Sequence, residues 1–316
     1  MLNSEKQKVL PEYMLNKLEA VLYLQDNQLS GTKNFCLGVG AQRCGSTWLG
    51  KYLEKHPQFC MSPLKEMHVF DSIAKNNNIL EDKFTQSLSN RQNRGLNNPL
   101  TQAIADRISI HDGGLTYFQY FDQRLNDQHL SFGEITPEYA LLTKEYLQAI
   151  YSSHAKTKVF MLIRRPVSRY ISALQYWGRS RPQFDLQKNY IQGLKQALFN
   201  KYTRYDHAIS ILQSVTPHDR LYVEYYEKIF EDPDQYLSAL CSFLQIRYIP
   251  PKELSSSLAV SVNASPPSND FSPTEADIAR IYMHFSDVYK DVPRLINKEL
   301  PESWADDVRR YSIHES

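Results

Sequence analysis

The feature that most constrains this chain is a cluster of glycines near its amino end. The 316-residue sequence contains only 11 glycines, and four of them (Gly38, Gly40, Gly45 and Gly50) lie within thirteen residues. Glycine loses more backbone entropy on folding than any other residue. A scarce supply concentrated in one segment therefore indicates that the backbone there needs unusual dihedral angles or the close approach of another group.

The residues on either side of the cluster predict a strand and a helix. Residues 35–39 (FCLGV) form a short apolar run that is typical of a buried strand. Residues 46–56 follow with apolar side chains on one helical face, and Pro57 ends the pattern. A strand, a glycine loop and a helix in this order are typical of the opening unit of a nucleotide-binding α/β domain.

The rest of the chain also predicts strands that alternate with helices. Strands are predicted at residues 131–135, 156–163 and 221–225, and helices at residues 166–177 and 234–244, with another beginning at Thr136-Pro137-Glu138 with Thr136 as its N-cap. The polar, Asn- and Gln-rich residues 72–129 are expected to form helices and long loops outside the sheet. This alternation predicts an α/β fold of three layers, a mostly parallel sheet flanked by helices.

No linker long enough to divide the chain is visible, so we expect one domain over residues 1–316. Its core is expected to cover residues 34–246. Residues 1–30 are a polar lead-in with some helical character, and residues 250–316 are expected to form a C-terminal lid or helical extension.

Composition excludes several classes of function. The net charge is only +1, so no global field draws the chain to nucleic acid, and we expect no nucleic-acid partner. No run approaches the length of a membrane span, and the amino end lacks the apolar region of a secretory signal. The four cysteines lack the spacing of a zinc site, so we expect no metal, reduced thiols and a cytoplasmic location.

The glycine loop itself is similar to a phosphate-binding loop but lacks one required residue. From Gly40 the sequence reads GAQRCGST, with Ser46 where the P-loop of nucleoside triphosphatases carries its lysine. The only cation is Arg43, inside the loop. Backbone N–H groups, a helix N-terminus and the hydroxyls of Ser46 and Thr47 predict an anion site, while the missing lysine argues against triphosphate hydrolysis.

Two motifs together resemble a known family. Residues 40–49 (GAQRCGSTWL) resemble the 5′-phosphosulfate loop of sulfotransferases that use 3′-phosphoadenosine 5′-phosphosulfate (PAPS). Residues 164–172 (RRPVSRYIS) are similar to that family's 3′-phosphate motif, an Arg at the end of a strand and a Ser eight residues later. Further similar segments, among them KEMHVFD at 65–71 and GEITPEY at 133–139, resemble carbohydrate (heparan-type) and bacterial members.

The resemblance implies the donor-binding residues. It assigns the PAPS site to the loop (Arg43, Cys44, Gly45, Ser46, Thr47 and Trp48) and to Arg164 and Ser172. Arg43 would stabilise charge on the leaving phosphate, and Trp48 would stack on the adenine or simply pack in the core. The family usually has Asp or Asn after the first Arg of the second motif. Because Arg165 stands there, either arginine could bind the 3′-phosphate.

The resemblance also implies a general base and leaves the acceptor open. Glu66, in the setting KE-x-H-x-F-D, is the expected base, and His68 is the competing one. The acceptor is expected to be a hydroxyl, less often an amine, of a small molecule or carbohydrate. Arg179, Arg181 and the aromatic residues 117–121 are candidate acceptor contacts. No oligomeric state is implied.

Two departures from the family pattern are visible. Ile135 stands where carbohydrate members often carry a second catalytic lysine, and residues 262–267 lack the Arg-Lys-Gly element that closes over the 3′-phosphate in some relatives. Two other functions therefore remain as alternatives. One is a P-loop-like nucleotide kinase or NTPase, and the other is a nucleotide-binding relative without catalysis.

Overall fold

A five-stranded sheet forms the centre of the molecule. The computed structural model describes residues 12–26, 28–76, 78–179, 186–196, 200–258 and 273–312. The strands are β1 (Asn34–Gly40), β2 (Phe59–Met61), β3 (Ser131–Ile135), β4 (Thr157–Ile163) and β5 (Leu221–Tyr225). Their order in the sheet is β2-β3-β1-β4-β5, and every neighbouring pair is parallel. The α/β fold with a parallel sheet is confirmed, and β2 is a strand that the sequence pattern did not indicate.

Helices flank the sheet. Within the described ranges they are α1 (Glu12–Val21), α2 (Ser46–Lys55), α3 (Val69–Lys75), α4 (Ile79–Asn93), α5 (Pro99–His111), α6 (Tyr117–Asp122), α7 (Lys144–Ser152), α8 (Pro166–Arg179), α9 (Leu186–Lys195), α10 (Tyr205–Val215), α11 (Lys228–Glu231), α12 (Pro233–Leu244), α13 (Pro251–Leu254), α14 (Glu275–His284), α15 (Ser286–Ile296) and α16 (Glu302–Tyr311). Short 3₁₀ helices cover Leu29–Thr32, Pro137–Leu141, His218–Arg220 and Ser256–Leu258.

The central strand β1 determines where ligands can reach the sheet. It pairs with β3 on one side and with β4 on the other, so the carboxyl ends of all three strands meet at one edge. Ligands of open parallel sheets bind at such an edge, where neighbouring connections leave in opposite directions. Gly38 packs tightly within the sheet, because a Cβ there would lie 2.8 Å from side-chain atoms of Ile135 and Phe160.

Thr136 is the N-cap residue of a helix, as predicted, with Pro137 at its start and Glu138 in its first turn, but its side chain does not cap that helix. A short 3₁₀ helix (Pro137–Leu141) follows, and the Thr136 side chain makes no capping hydrogen bond. The hydroxyl of Thr136 instead donates to a carboxylate oxygen of Glu134 at 2.6 Å. Glu134 is buried, so satisfying its carboxylate takes the hydroxyl away from the helix terminus.

The aromatic residues of α6 pack in the core, so they are unavailable as acceptor contacts. Tyr117, Phe118, Tyr120 and Phe121 are all fully buried. Phe118 meets Phe35 of β1 edge-to-face, with 5.5 Å between the ring centroids. Residues 72–129 otherwise form α3–α6 outside the sheet, as predicted.

The remaining sequence predictions concern residues outside the described ranges, the lead-in and membrane-spanning segments. Residues 262–267, Arg181 and the side chain of Arg179 lie outside the described residues, so their proposed roles stay predictions. The lead-in contains α1, in agreement with its helical pattern. Among the described helices, none has both the length and the apolar character needed to cross a membrane.

Candidate active site

Both sequence motifs line one cavity at the carboxyl ends of β1 and β4. Its volume is about 610 Å³. Eight of the predicted site residues line it, namely Arg43, Gly45, Ser46, Thr47, Trp48, Glu66, Arg164 and Ser172. Its other walls come from Gln42, Lys65, Pro137, Ser168, Ile171, Gln175, Tyr176, Tyr226, Ile229 and Phe230. Cys44 and His68 are the two predicted residues that lie outside this lining.

The glycine loop winds into the start of α2 through two left-handed residues. Arg43 has φ 70° and Gly45 has φ 84°, and Gly45 is the N-cap of α2. A Cβ at Gly45 would lie 2.7 Å from Cδ2 of Tyr226 and would overlap the ring. The group that lies close to the backbone at Gly45 is therefore an aromatic side chain of the protein. The free N–H groups of the first turn of α2 give this wall a positive potential.

Arg43 connects the two motifs across 129 residues of sequence. Its Nε donates a hydrogen bond to Oγ of Ser172 on α8 at 3.1 Å. Its guanidinium lies over the ring of Tyr176, 5.0 Å from the centroid, which is within the range of a cation–π contact. A charged fork held in this way has a defined position in the cavity wall.

The two adjacent arginines at the end of β4 have different environments. Arg164 lines the cavity, donates from Nη1 to the carbonyl of Arg43 at 3.3 Å and lies over Tyr226 at 5.4 Å. The Arg165 guanidinium points away and binds the carboxylate of Asp307 through two hydrogen bonds, with 2.6 Å between Nε and Oδ2. Asp307 is only 1% exposed. The geometry thus separates the two arginines, leaving Arg164 at the cavity.

The C-terminal helix α16 is attached to the residues behind the site by hydrogen bonds. Glu227, which follows Tyr226, accepts a bond from the backbone N–H of Arg165 at 2.8 Å and one from Nε1 of Trp304 at 3.0 Å. Burial raises the pKa of Glu227. Trp304 is fully buried and packs edge-to-face on Tyr225 of β5. Helix α16 therefore packs behind the cavity wall that carries Arg164 and Tyr226.

The opposite wall carries Glu66 and, behind it, a cluster of ionisable groups. Glu66 forms an ion pair with Lys65. His68 lies between two carboxylates, with its Nε2 3.9 Å from Oε2 of Glu66 and 3.9 Å from Oε2 of Glu138. Its other ring nitrogen, Nδ1, bonds Asp71 at 3.1 Å.

These surroundings favour the protonated form of His68. Burial alone would lower the pKa of His68. The hydrogen bond and charge of Asp71, together with the charges of Glu138 and Glu66, outweigh this effect, so the pKa is raised. Burial also raises the pKa of Glu138, whose Oε2 accepts no hydrogen bond among the described residues and has only the longer ion-pair contact with His68. The protonated form of a histidine has no free lone pair with which to accept a proton from a substrate.

Glu66, His68 and Glu138 are also the group of possible metal ligands that the described residues bring together. Their ligand atoms all lie within 4.8 Å of one another. A histidine must be neutral to bind a metal, and the raised pKa of His68 favours the imidazolium. The arrangement accordingly matches an ion-pair cluster better than a metal centre.

The remaining two predicted loop residues occupy different positions. The thiol of Cys44 is fully buried beneath the loop, 3.6 Å from the carbonyl of Gln42, and burial raises its pKa to about 11. It is therefore an unreactive packing group at neutral pH. Trp48 lines the cavity and also stacks on Tyr52, with 6.0 Å between the ring centroids and 14° between the planes.

Sequence reasoning missed a buried arginine that supports the loop. Arg169, on α8, is fully buried and donates to the carbonyl of Gln42 at 3.3 Å and to its side-chain oxygen at 3.2 Å. It also donates to the hydroxyl of Thr203 at 3.0 Å. The available signal was its position one helical turn after Arg165, within a motif already recognised for other residues.

Comparisons with known proteins were made for sequence and for structure. The profile of the sulfotransferase family matches residues 37–250. No curated protein sequence matches the chain. A sulfotransferase from Alicyclobacillus acidocaldarius is similar in structure, with 18% identity, a TM-score of 0.57 and coverage of 86% of this chain and 98% of that one.

Two further solved structures are more distant. The sulfotransferase domain of the Synechococcus PCC 7002 olefin synthase has 19% identity and a TM-score of 0.48, covering 88% of this chain and 99% of that one. A mouse sulfotransferase complexed with PAP has 12% identity and a TM-score of 0.48, covering 95% and 94%.

Proposed function

Because the chain belongs to the sulfotransferase family, we propose that it transfers the sulfuryl group of PAPS to an acceptor by in-line displacement. The acceptor is a hydroxyl, less readily an amine, of a small molecule or carbohydrate. The observation that carries the proposal is the convergence of Arg43, Arg164, Ser172 and Glu66 on one cavity. The product nucleotide is adenosine 3′,5′-bisphosphate (PAP), as in the mouse structure complexed with PAP.

On the donor side, the glycine loop and the start of α2 hold the 5′-phosphosulfate. The positive end of the helix and the hydroxyls of Ser46 and Thr47 supply hydrogen bonds to its oxygens. Arg43 stabilises the negative charge that develops on the leaving phosphate, and it acts by charge alone because a guanidinium does not deprotonate.

The 3′-phosphate is assigned to Arg164 and Ser172. A bidentate cation and a hydroxyl suit a phosphate monoester, and both side chains line the cavity. The pairing of Arg165 with the buried Asp307 supports Arg164 as the phosphate ligand, since Arg165 would have to leave a carboxylate uncompensated. The position of Trp48 on the cavity wall supports stacking on the adenine.

On the acceptor side, Glu66 is the general base. The acceptor oxygen attacks sulfur and gives its proton to the Glu66 carboxylate, and the bond between sulfur and the bridging oxygen breaks with its electrons passing to the phosphate. The raised pKa of His68 supports Glu66 over His68 as the base. His68 then acts as a charge that holds the carboxylates of this wall in place.

The alternative of a nucleotide kinase or NTPase has little support in the cavity. Ser46 occupies the position of the phosphate-binding lysine, and the second basic group is the Arg164 motif. A nucleotide-binding relative without catalysis would keep the donor site and lose the dependence on Glu66. Variants at Glu66 therefore distinguish a catalytic sulfotransferase from a nucleotide-binding relative without catalysis.

The deciding experiment measures nucleotide binding and turnover separately. PAP at 1 mM, about a thousand times a micromolar Kd, should raise the Tm, whereas ATP should not. PAPS should then release PAP in the presence of acceptors from a panel containing 2-naphthol, a primary alcohol, N-acetylglucosamine and a primary amine. Absence of a PAP-induced Tm shift would overturn the proposal.

Single substitutions test the nucleotide-binding side and the acceptor side of the site separately. Arg164→Ala should raise the Kd for PAP by about 10–100-fold, as expected for loss of a charged hydrogen-bonded pair. Glu66→Gln should leave that Kd unchanged and lower kcat by about 10²–10⁴-fold. Arg247→Ala removes an exposed arginine outside the cavity and serves as the matched control, with both constants unchanged. Unchanged turnover in Glu66→Gln would refute the assignment of the base.

A further inference from the structure

The loop that carries Glu66 has an unusual backbone. Glu66 has φ 60° and His68 has φ 53°, so both residues are left-handed although neither is glycine. Such conformations are unfavourable for side chains with a Cβ and persist only where the surroundings impose them. The contacts of the loop backbone should therefore include the groups that hold it.

One buried side chain binds two consecutive carbonyls of this loop. Arg107, on α5, is 1% exposed. Its Nε donates to the carbonyl of Met67 at 2.8 Å, and its Nη2 donates to the carbonyl of His68 at 3.0 Å. The direction of each carbonyl follows the ψ angle of its own residue, so these two bonds determine the backbone turn immediately after Glu66.

Two further groups bind the N–H side of the same loop. Glu134 accepts a hydrogen bond from the N–H of Met67 at 2.9 Å. The hydroxyl of Tyr139 accepts one from the N–H of Val69 at 3.0 Å and donates to Glu134 at 2.9 Å. Both side chains are buried and come from β3 and the 3₁₀ helix that follows it.

Arg107 is itself held in place by a carboxylate on the neighbouring helix. Glu81 of α4 pairs with both terminal nitrogens of the guanidinium, at 2.6 and 2.7 Å. The hydroxyl of Ser72 donates to the same carboxylate at 2.5 Å. The ring of Phe84 lies against the guanidinium, with 4.7 Å between the ring centroid and Cζ of Arg107. Four of the five donor hydrogens of Arg107 thus bond either Glu81 or the loop, which fixes the orientation of the side chain.

We propose that Arg107, oriented by Glu81, is a positioning residue that directs Glu66 at the acceptor and holds His68 among the carboxylates of this wall. The inference rests on the proposed function, because Glu66 must be the base for its aim to matter. It also gives the helices inserted between β2 and β3 a role in the reaction. Neither Arg107 nor Glu81 lines the cavity, so both act through the loop.

The variants separate this role from simple stability. Arg107→Met removes both carbonyl bonds, Arg107→Lys keeps the charge but not the fork, and Glu81→Gln weakens the orientation of an intact arginine. Arg124→Met is the matched control. It removes another largely buried arginine of the same region, paired with Asp106 at 2.5 Å, that has no hydrogen bond to the loop.

Kinetics give the first readout. Arg107→Met should lower kcat for PAP release from PAPS, with the best acceptor of the panel, by about 10–100-fold, as expected for a base displaced by about 1 Å. The KM for PAPS and the Kd for PAP should stay within about twofold, because the donor site lies on other elements. Arg107→Lys and Glu81→Gln should fall between wild type and Arg107→Met, and Arg124→Met should retain wild-type kcat.

Histidine NMR gives a second readout that needs no acceptor. The ring of His68 faces the charges of Asp71, Glu138 and Glu66. Displacing the loop should move its titration towards the ordinary histidine range in Arg107→Lys and Glu81→Gln, and not in Arg124→Met. If Arg107→Met does not fold, these two conservative variants decide the question.

The outcomes are distinguishable from failure of the proposed function. A His68 titration unchanged in both conservative variants would overturn the positioning role, whether or not an acceptor has been found. An equal loss of kcat in Arg124→Met would overturn it as well. A wild-type protein that neither binds PAP nor turns over PAPS, yet shows the shifted His68 titration in the variants, would overturn the proposed function and leave the loop contacts established.

Discussion

Replacing Gly45 by alanine tests the geometry of the donor loop most directly. Gly45 has φ 84°, and a Cβ there would overlap the ring of Tyr226. Gly50 belongs to the same glycine cluster but lies inside α2, where a Cβ would meet its nearest neighbours at 3.8 and 4.0 Å. The two substitutions are chemically identical, so they should differ only through these environments.

The magnitude at Gly45 has two parts. A left-handed alanine costs about 1–2 kcal/mol relative to glycine. The ring of Tyr226 must also move, and it loses its contact with Arg164, now 5.4 Å from the ring centroid, which is worth about 0.5–1 kcal/mol. The expected loss in the free energy of unfolding is therefore about 1.5–3 kcal/mol. Gly50→Ala should instead stabilise the protein by up to about 1 kcal/mol, because alanine favours a helix interior.

Urea unfolding followed by circular dichroism measures both free energies, and calorimetric titration with PAP measures the effect on binding. Gly45→Ala should weaken PAP binding by about tenfold or more, which corresponds to about 1.4 kcal/mol, because Tyr226 and Arg164 both line the cavity. Gly50→Ala should bind PAP as the wild type does. Equal stability of the two variants, or wild-type affinity in Gly45→Ala, would refute the reasoning.

Three further predictions concern charge and packing. Asp307→Asn should lower the free energy of unfolding, measured in urea, by about 3 kcal/mol because it leaves the Arg165 charge uncompensated. Asp306→Asn, on the exposed side of α16, should lower it by less than about 1 kcal/mol. Similar losses in the two variants would contradict the assigned burial. The pKa of His68 is raised on folding, so the stability lost in His68→Gln should be largest below about pH 6.5 and should disappear as pH rises through the raised pKa. A difference in urea midpoint between wild type and variant that grows with pH would contradict this prediction. In Gly133→Ala a Cβ would overlap the carbonyl oxygen of Cys36 and lie 2.9 Å from its carbonyl carbon, so more than about 4 kcal/mol of the free energy of unfolding should be lost. A loss below about 1 kcal/mol in urea unfolding would count against the strand pairing.

The strands and the donor loop were predictable because their signals are local. The apolar runs at residues 131–135 and 221–225 become β3 and β5 with the predicted bounds, and β4 begins one residue later than expected. Three-residue β2 has too little sequence for a periodicity to be seen. Each donor motif lies between a strand and a helix, so the parallel sheet brings both motifs to the same edge.

The failures arise where the fold brings a group to a partner that the local pattern does not indicate. The hydroxyl of Thr136 had the sequence context of a helix cap, but a buried carboxylate two residues earlier binds it. The choice between Arg164 and Arg165 depends on Asp307, 142 residues away from Arg165, which no local pattern indicates. The raised pKa of His68 depends first on Asp71, three residues along the chain, and also on Glu138, which approaches only through the fold.

The pairing of Arg165 with Asp307 also has a consequence for the order of synthesis. A ribosome adds roughly 5–20 residues per second, so the 142 residues between the two partners take roughly 7–30 seconds to emerge. During that interval β4 and the start of α8 carry two adjacent guanidinium groups without the carboxylate that separates their roles. The donor wall of the cavity therefore acquires its final charge pattern only after α16 has been made, although the glycine loop is synthesised before either partner.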